Sequence, residues 1–159
     1  MAYQVAVCGP ASGTPTERDR AYRVGELLAR AGAVVLCGGG TGVMATVAAG
    51  ARSAGGLVVG ILPGERSEAG ADLAVAVATN LGEARNAVLV NSADAVIVVG
   101  GSWGTLSELA LAKRRGGVPV VSLGGWRILD EAGAPVPGVV YVGTPEAAVA
   151  ASGVPGVET

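Results

Sequence analysis

The chain has no histidine and no phenylalanine, and its 159 residues include only three tyrosines, two tryptophans and two cysteines. Without histidine, neither a Ser-His-Asp triad nor a Cys-His pair can be built, and most transition-metal sites lose their commonest ligand. Acid–base chemistry is left to Asp, Glu, Tyr, Cys or bound water. Cys8 and Cys37 are too few for a disulfide framework or a zinc site, and no metal or other cofactor is expected. Eleven Lys and Arg face thirteen Asp and Glu, a net charge of −2 with no basic run. A nucleic-acid-binding surface is therefore not expected. Long hydrophobic runs are missing too: a glycine interrupts each apolar stretch well before it could span a membrane. The first residues lead directly into a strand pattern, without a basic segment or cleavage site, so a cytoplasmic protein is the expectation.

Glycine and small apolar residues are plentiful. There are 27 glycines, half the residues are apolar, and mean hydropathy is +0.52. This length suits one domain with a proper core, expected over residues 1–151, with 152–159 as a frayed tail. Short β-branched runs predict strands at 3–8, 33–37, 57–62, 74–78, 95–99, 118–123 and 139–142. Between them, apolar periodicity predicts helices. The first starts at the capping box Thr14-Pro15-Thr16-Glu17 and runs to about Ala31; others cover 43–53, 82–92, 105–115 and 144–151. Residues 65–71 read as a mobile polar loop, and 126–138 as loop. The alternation implies an α/β fold, a single Rossmann-like doubly wound parallel sheet with helices on both faces. Ligands of such sheets sit beyond the strand C-termini, at the switch in strand order.

Three glycine loops arrive at that edge: 9–13, 38–42 and 100–104. The last is the most telling. A buried β-branched run, Ala95–Val99, empties into Gly100-Gly101-Ser102-Trp103-Gly104-Thr105, where a helix begins. A glycine turn at a helix N-terminus aims free N–H groups and partial positive charge at an anion, and phosphate is the natural one. Gly40-Thr41-Gly42-Val43-Met44-Ala45 fits the dinucleotide pattern G-x-G-x-x-A, but it follows the second strand. The third strand then ends in Ile61-Leu62-Pro63, with no acid for a ribose diol. A mononucleotide or another phosphorylated ligand fits better than NAD. For Gly39, tight packing and ligand contact are equally good explanations.

Glu108 has two readings. Thr105-Leu106-Ser107-Glu108 is a T-x-x-E capping box, in which its carboxylate would only reach the Thr105 N–H. Beside a phosphate loop, the same carboxylate could hold ribose hydroxyls, orient water or support an oxocarbenium ion. Arg85 opposes the dipole at the start of its helix, which favours a role in gripping phosphate over a solvated pair with Glu83 or Glu108. Asn86 could add an amide or serve as a plain surface group. Trp103 and Trp126 follow glycines near strand ends, where packing or a dimer contact competes with covering a flat base. Cys8 and Cys37 read as buried hydrophobes.

These residues resemble the LOG family, cytokinin riboside 5′-monophosphate phosphoribohydrolases long mislabelled as lysine decarboxylases. The family motif P-G-G-x-G-T-x-x-E is matched by Gly100-Gly101-Ser102-Trp103-Gly104-Thr105-Leu106-Ser107-Glu108. Gly38-Gly39-Gly40-Thr41-Gly42-Val43-Met44 is similar to G-G-G-x-x-G-L-M, and Arg85-Asn86 to its Arg-Lys pair. Val7-Cys8-Gly9-Pro10-Ala11-Ser12 is similar to its first loop. The resemblance covers about residues 3–123. It implies Arg85 and Glu108 as a catalytic pair, with Ser12, Gly39, Gly40, Thr41, Met44, Asn86, Gly101, Ser102, Gly104 and Thr105 around the ligand. The implied reaction is hydrolysis of the N-glycosidic bond of a nucleoside 5′-monophosphate. The leaving base would need a proton donor, for which Glu65, Glu83 and Asp130 are candidates. Gly for the motif's Pro, Ser102 for Gly and Asn86 for Lys point instead toward a small bacterial subgroup close to molybdenum-cofactor carrier proteins. That gives the alternative, a non-catalytic carrier or sensor of a phosphorylated ligand such as molybdenum cofactor or a nucleotide. The resemblance also implies a homodimer or higher homo-oligomer built on the helices.

Overall fold

The structure is a computed structural model in which residues 1–158 are described. Seven strands form one all-parallel sheet: β1 (Gln4–Cys8), β2 (Val34–Cys37), β3 (Val58–Leu62), β4 (Val75–Ala78), β5 (Ala95–Val99), β6 (Val120–Leu123) and β7 (Val140–Val142). Their order is β4-β3-β2-β1-β5-β6-β7. The chain builds outward from β1 to β4, then crosses back to lay β5 on the other side of β1, with Val5 opposite Ala95 and Cys8 opposite Val98. The β1/β5 junction is thus the switch point, and the sheet is the Rossmann-like α/β fold expected.

Among the described residues the five α-helices are α1 (Pro15–Arg30), α2 (Val43–Ser53), α3 (Arg85–Asn91), α4 (Trp103–Arg115) and α5 (Pro145–Ala151). Helices α1, α2 and α5 pack on one face, where Val24, Leu28, Val47 and Val149 meet Val5, Val35 and Ile97. Helices α3 and α4 cover the other face through Leu89, Val90, Leu109 and Ala112 over Ala6, Val96 and Val98. Every residue of β5 is buried, as its continuous β-branched run demands of a strand covered on both sides. Helices α1 and α2 cross closely because Gly25 and Gly50 face backbone: a Cβ at either would collide with the carbonyl of Val47 or Tyr22.

The structure departs from expectation at three places. Residues 82–84 form a single 3-10 turn, and α3 proper begins at Arg85. Helix α4 starts two residues earlier than its periodicity suggests. The tail does not fray: Ser152 and Val154 are buried, and Val157 packs on the same cluster. The valines supply apolar area, and the Tyr3 hydroxyl donates to the Ser152 carbonyl at 2.8 Å, which ties the end of α5 to the residue before the first strand. Thr159 lies outside the described residues. No helix among the described residues is long and apolar enough to cross a membrane.

Candidate functional site

Helix α4 sets the site because its start is shaped by two hydroxyls. Ser102 adopts an extended backbone and accepts from the Thr105 N–H at 3.1 Å; the Ser102 and Thr105 hydroxyls lie 2.8 Å apart. Ser102 is therefore the N-cap. This corrects the capping-box reading of Thr105 and Glu108. The Thr105 N–H is already held, and Glu108 sits in the second turn. The cap also absorbs both hydroxyls expected to face a ligand. It leaves the N–H groups of Trp103 and Gly104 without a protein acceptor among the described residues.

Glu108 is only 7% exposed. Burial pushes its carboxyl up to about 7; Arg85 and a contact with the Cys8 thiol pull the other way, and Glu83 adds repulsion. Arg85 makes neither of the ion pairs considered for it. Its Nη1 donates to the carbonyls of Gly38 and Ile61, both at 2.6 Å, and its Nε to Asn86 Oδ1 at 2.8 Å. It thus ties together the ends of β2 and β3, and Nη2 alone takes no protein acceptor among the described residues. Asn86 is buried and donates onward to the Ser107 hydroxyl at 3.3 Å, bracing Arg85 against α4.

The other two loops interlock. Gly42 has φ +61, and a Cβ there would collide with the carbonyl oxygens of Pro10 and Ala11. The Val43 N–H donates to Pro10 O at 3.1 Å and the Thr41 hydroxyl to Ala11 O at 3.0 Å. The N–H groups of Met44 and Ala45, at the start of α2, take no protein acceptor among the described residues.

Two adjoining cavities lie along this edge. One, of about 170 Å³, is bounded by Gly9 and Ala11 from the first loop, Met44, the Glu83-Arg85-Asn86 segment, and Ser102, Gly104, Thr105 and Glu108 from α4. The other, of about 260 Å³, is bounded by residues 38–41, Leu62, Pro63 and Glu68. Ala11, Met44 and Arg85 line both. Of the residues expected around a ligand, Gly40, Thr41, Met44, Asn86, Ser102, Gly104 and Thr105 are brought together with Arg85 and Glu108.

Three others stand differently. Gly39 reaches the second cavity, but its missing side chain makes room for Leu62, the packing explanation. Gly101 lies under Trp126, against whose ring a Cβ would press, and Ser12 lines neither cavity. Of the candidate proton donors, Glu83 alone lines the first cavity; Asp130 accepts from the N–H groups of Ala132 and Ala134 in a small hairpin. Glu68 was not singled out by sequence, since nothing local distinguishes it from its loop. Trp103 and Trp126 meet edge-to-face at 4.9 Å, and Trp103 is 79% exposed. No group of three or more Cys, Asp or Glu among the described residues could hold a metal ion.

An all-parallel sheet with glycine-lined cavities at its switch point defines a Rossmann-like α/β protein. The chain belongs to the SLOG cluster4 family, whose sequence profile matches residues 2–149. It is similar to an uncharacterised protein of Archaeoglobus fulgidus, 45% identical over 113 residues, which are 71% of this chain and 75% of that one. Among solved structures it is similar to the molybdenum cofactor binding protein of Rippkaea orientalis, at 37% identity over 92% of each chain with a TM-score of 0.82. It is also similar to the molybdenum cofactor carrier protein of Chlamydomonas reinhardtii, at 29% identity over 95% of this chain and 96% of that one, with a TM-score of 0.80.

Proposed function

We propose that this protein binds and carries a phosphorylated small molecule of the molybdenum-cofactor class in the cytoplasm, without turning it over. One observation carries the reading: of the unpartnered amides at the starts of α2 and α4, those of Met44 and Gly104 belong to residues that line a shared cavity at the switch point. A phosphate there would accept from the amides of Met44 and Gly104 and from Arg85 Nη2. The adjoining cavity would take the organic frame, and the two volumes together match small-molecule sites. The likeness to two molybdenum-cofactor-binding proteins over nine-tenths of each chain supports this cargo.

A second reading, hydrolysis of a nucleoside 5′-monophosphate, is favoured by Glu108. A carboxyl held near 7 inside the same cavity could orient water and support an oxocarbenium ion. The one further carboxylate on that cavity, Glu83, is exposed, and Arg85 is spent largely on strand-end carbonyls. Both features favour carriage. The protein purified from a molybdenum-replete host is expected to retain molybdenum and pterin fluorescence and to release no base from AMP or isopentenyladenosine monophosphate. Base release that Glu108→Gln abolishes would establish the hydrolase instead.

We further propose a homodimer across α3 and α4. Gly104, Ser107, Leu111 and Arg114 form one stripe of α4 beside a groove of about 690 Å³, with Ala84 and exposed Trp103 on its walls. Glu83 stands at the end of the groove that adjoins the ligand cavity, and Arg114 a helix length away. A two-fold axis across the groove sets each copy's Arg114 against the other's Glu83.

A further inference from the structure

We infer that Glu68 reads the edge of the ligand's ring, selecting a flat heterocycle with two adjacent N–H donors over one without them. The inference rests on the proposed phosphate position and deepens it. The two cavities differ in character. The inner one holds Glu108, Asn86 and the helix-start amides. The outer one has walls of bare glycine backbone at residues 38–40 and of apolar Met44, Leu62 and Pro63, a slot suited to a planar ring.

Two ionic side chains line that slot. Arg85 is bound to Gly38 O and Ile61 O, which leaves Glu68. Its carboxylate makes no ion pair or hydrogen bond among the described residues. It hangs from a single 3-10 turn, Arg66–Glu68, and folds back over Gly64, where a Cβ would stand 2.6 and 2.7 Å from its two oxygens. The glycine at 64 therefore leaves room for the carboxylate, which stands exposed at the rim of the slot.

An ionised carboxylate only accepts, and its two oxygens match a pair of neighbouring N–H groups. A 2-amino-pyrimidinone edge, N–H beside NH₂, supplies that pair; guanine and pterins share it. Adenine offers an amino group next to a bare ring nitrogen, whose lone pair would face the carboxylate. A site built around such a donor pair discriminates against rings that lack it, because the acceptor is left unmatched.

Calorimetric titration with GMP, AMP and ribose 5-phosphate tests this. The wild type should bind GMP about tenfold more tightly than AMP, and ribose 5-phosphate no better than AMP. Glu68→Gln, checked for an unchanged thermal unfolding midpoint, should weaken GMP about tenfold, leave ribose 5-phosphate as it was, and bind AMP at least as well as the wild type, since an amide N–H can meet the bare ring nitrogen. Equal GMP and AMP affinities in the wild type, or GMP affinity indifferent to Glu68→Gln, would overturn the inference while leaving the phosphate site standing. If none of the three binds, both the inference and the phosphate site fail.

Discussion

Glu108 is a carboxyl taken out of water beside one cation, and its proton affinity sets a pH dependence on the whole fold. In the unfolded chain it ionises at its ordinary 4.5; folded, it keeps the proton to about 7. Between those values the folded state holds the extra proton, so stability falls as pH rises from about 4.5 and levels off above about 7. The gap corresponds to about 3 kcal/mol. Glu108→Gln removes the charge, and its unfolding midpoint should exceed that of the wild type by about 9 °C at pH 8 while differing little at pH 4.5. Thermal melts of the two proteins at both pH values check this; parallel pH profiles would refute it. The sequence marked Glu108 for attention yet left its surroundings open, because S-x-x-T and T-x-x-E overlap there and either hydroxyl could cap. Arg85 was legible as a misfit with the helix dipole and as one half of a family pair, but not by what it holds. Its carbonyl partners lie 24 and 47 residues away, beyond any local pattern.

At the scale of elements, strands were readable because they are short, mostly β-branched runs, five of them closed directly by glycine, and the parallel sheet followed from the alternation of strands and helices. What sequence could not separate was which glycines hold loops together and which stand open to a ligand. Gly42 and Gly104 are the test pair. Gly42 presses on the carbonyls of Pro10 and Ala11 at positive φ, whereas a Cβ on Gly104 would meet only Ser102 Oγ, at 3.8 Å. Gly42→Ala should cost about 2 kcal/mol or more and loosen both loops. Gly104→Ala should fold as well as the wild type or better, since alanine suits a helix, yet bind GMP more weakly because its methyl stands in the cavity. Chemical denaturation together with titration separates the two outcomes. The tail was misjudged for a related reason: valines after a glycine read as a fraying end until a core is present to receive them.

Over the whole molecule, cover is uneven. Three helices protect one face of the sheet and two the other, and the thinner side carries the α3/α4 groove. If that groove is the seam of a dimer, Leu111→Asp should give a monomer by light scattering. Arg114→Glu should weaken association, and adding Glu83→Arg should restore it. A wild type that is monomeric at micromolar concentration would dispose of the seam. The sheet also keeps its two thiols apart. Cys8 and Cys37 end neighbouring strands but face opposite helical layers, and burial drives Cys8 well up and Cys37 to about 11. Thiolate, the form that captures soft metals, is therefore scarce at both. If the proposed cargo brings a metal atom, neither cysteine stands ready to ligate it. Delivery to an acceptor would then break no metal–thiolate bond to this chain.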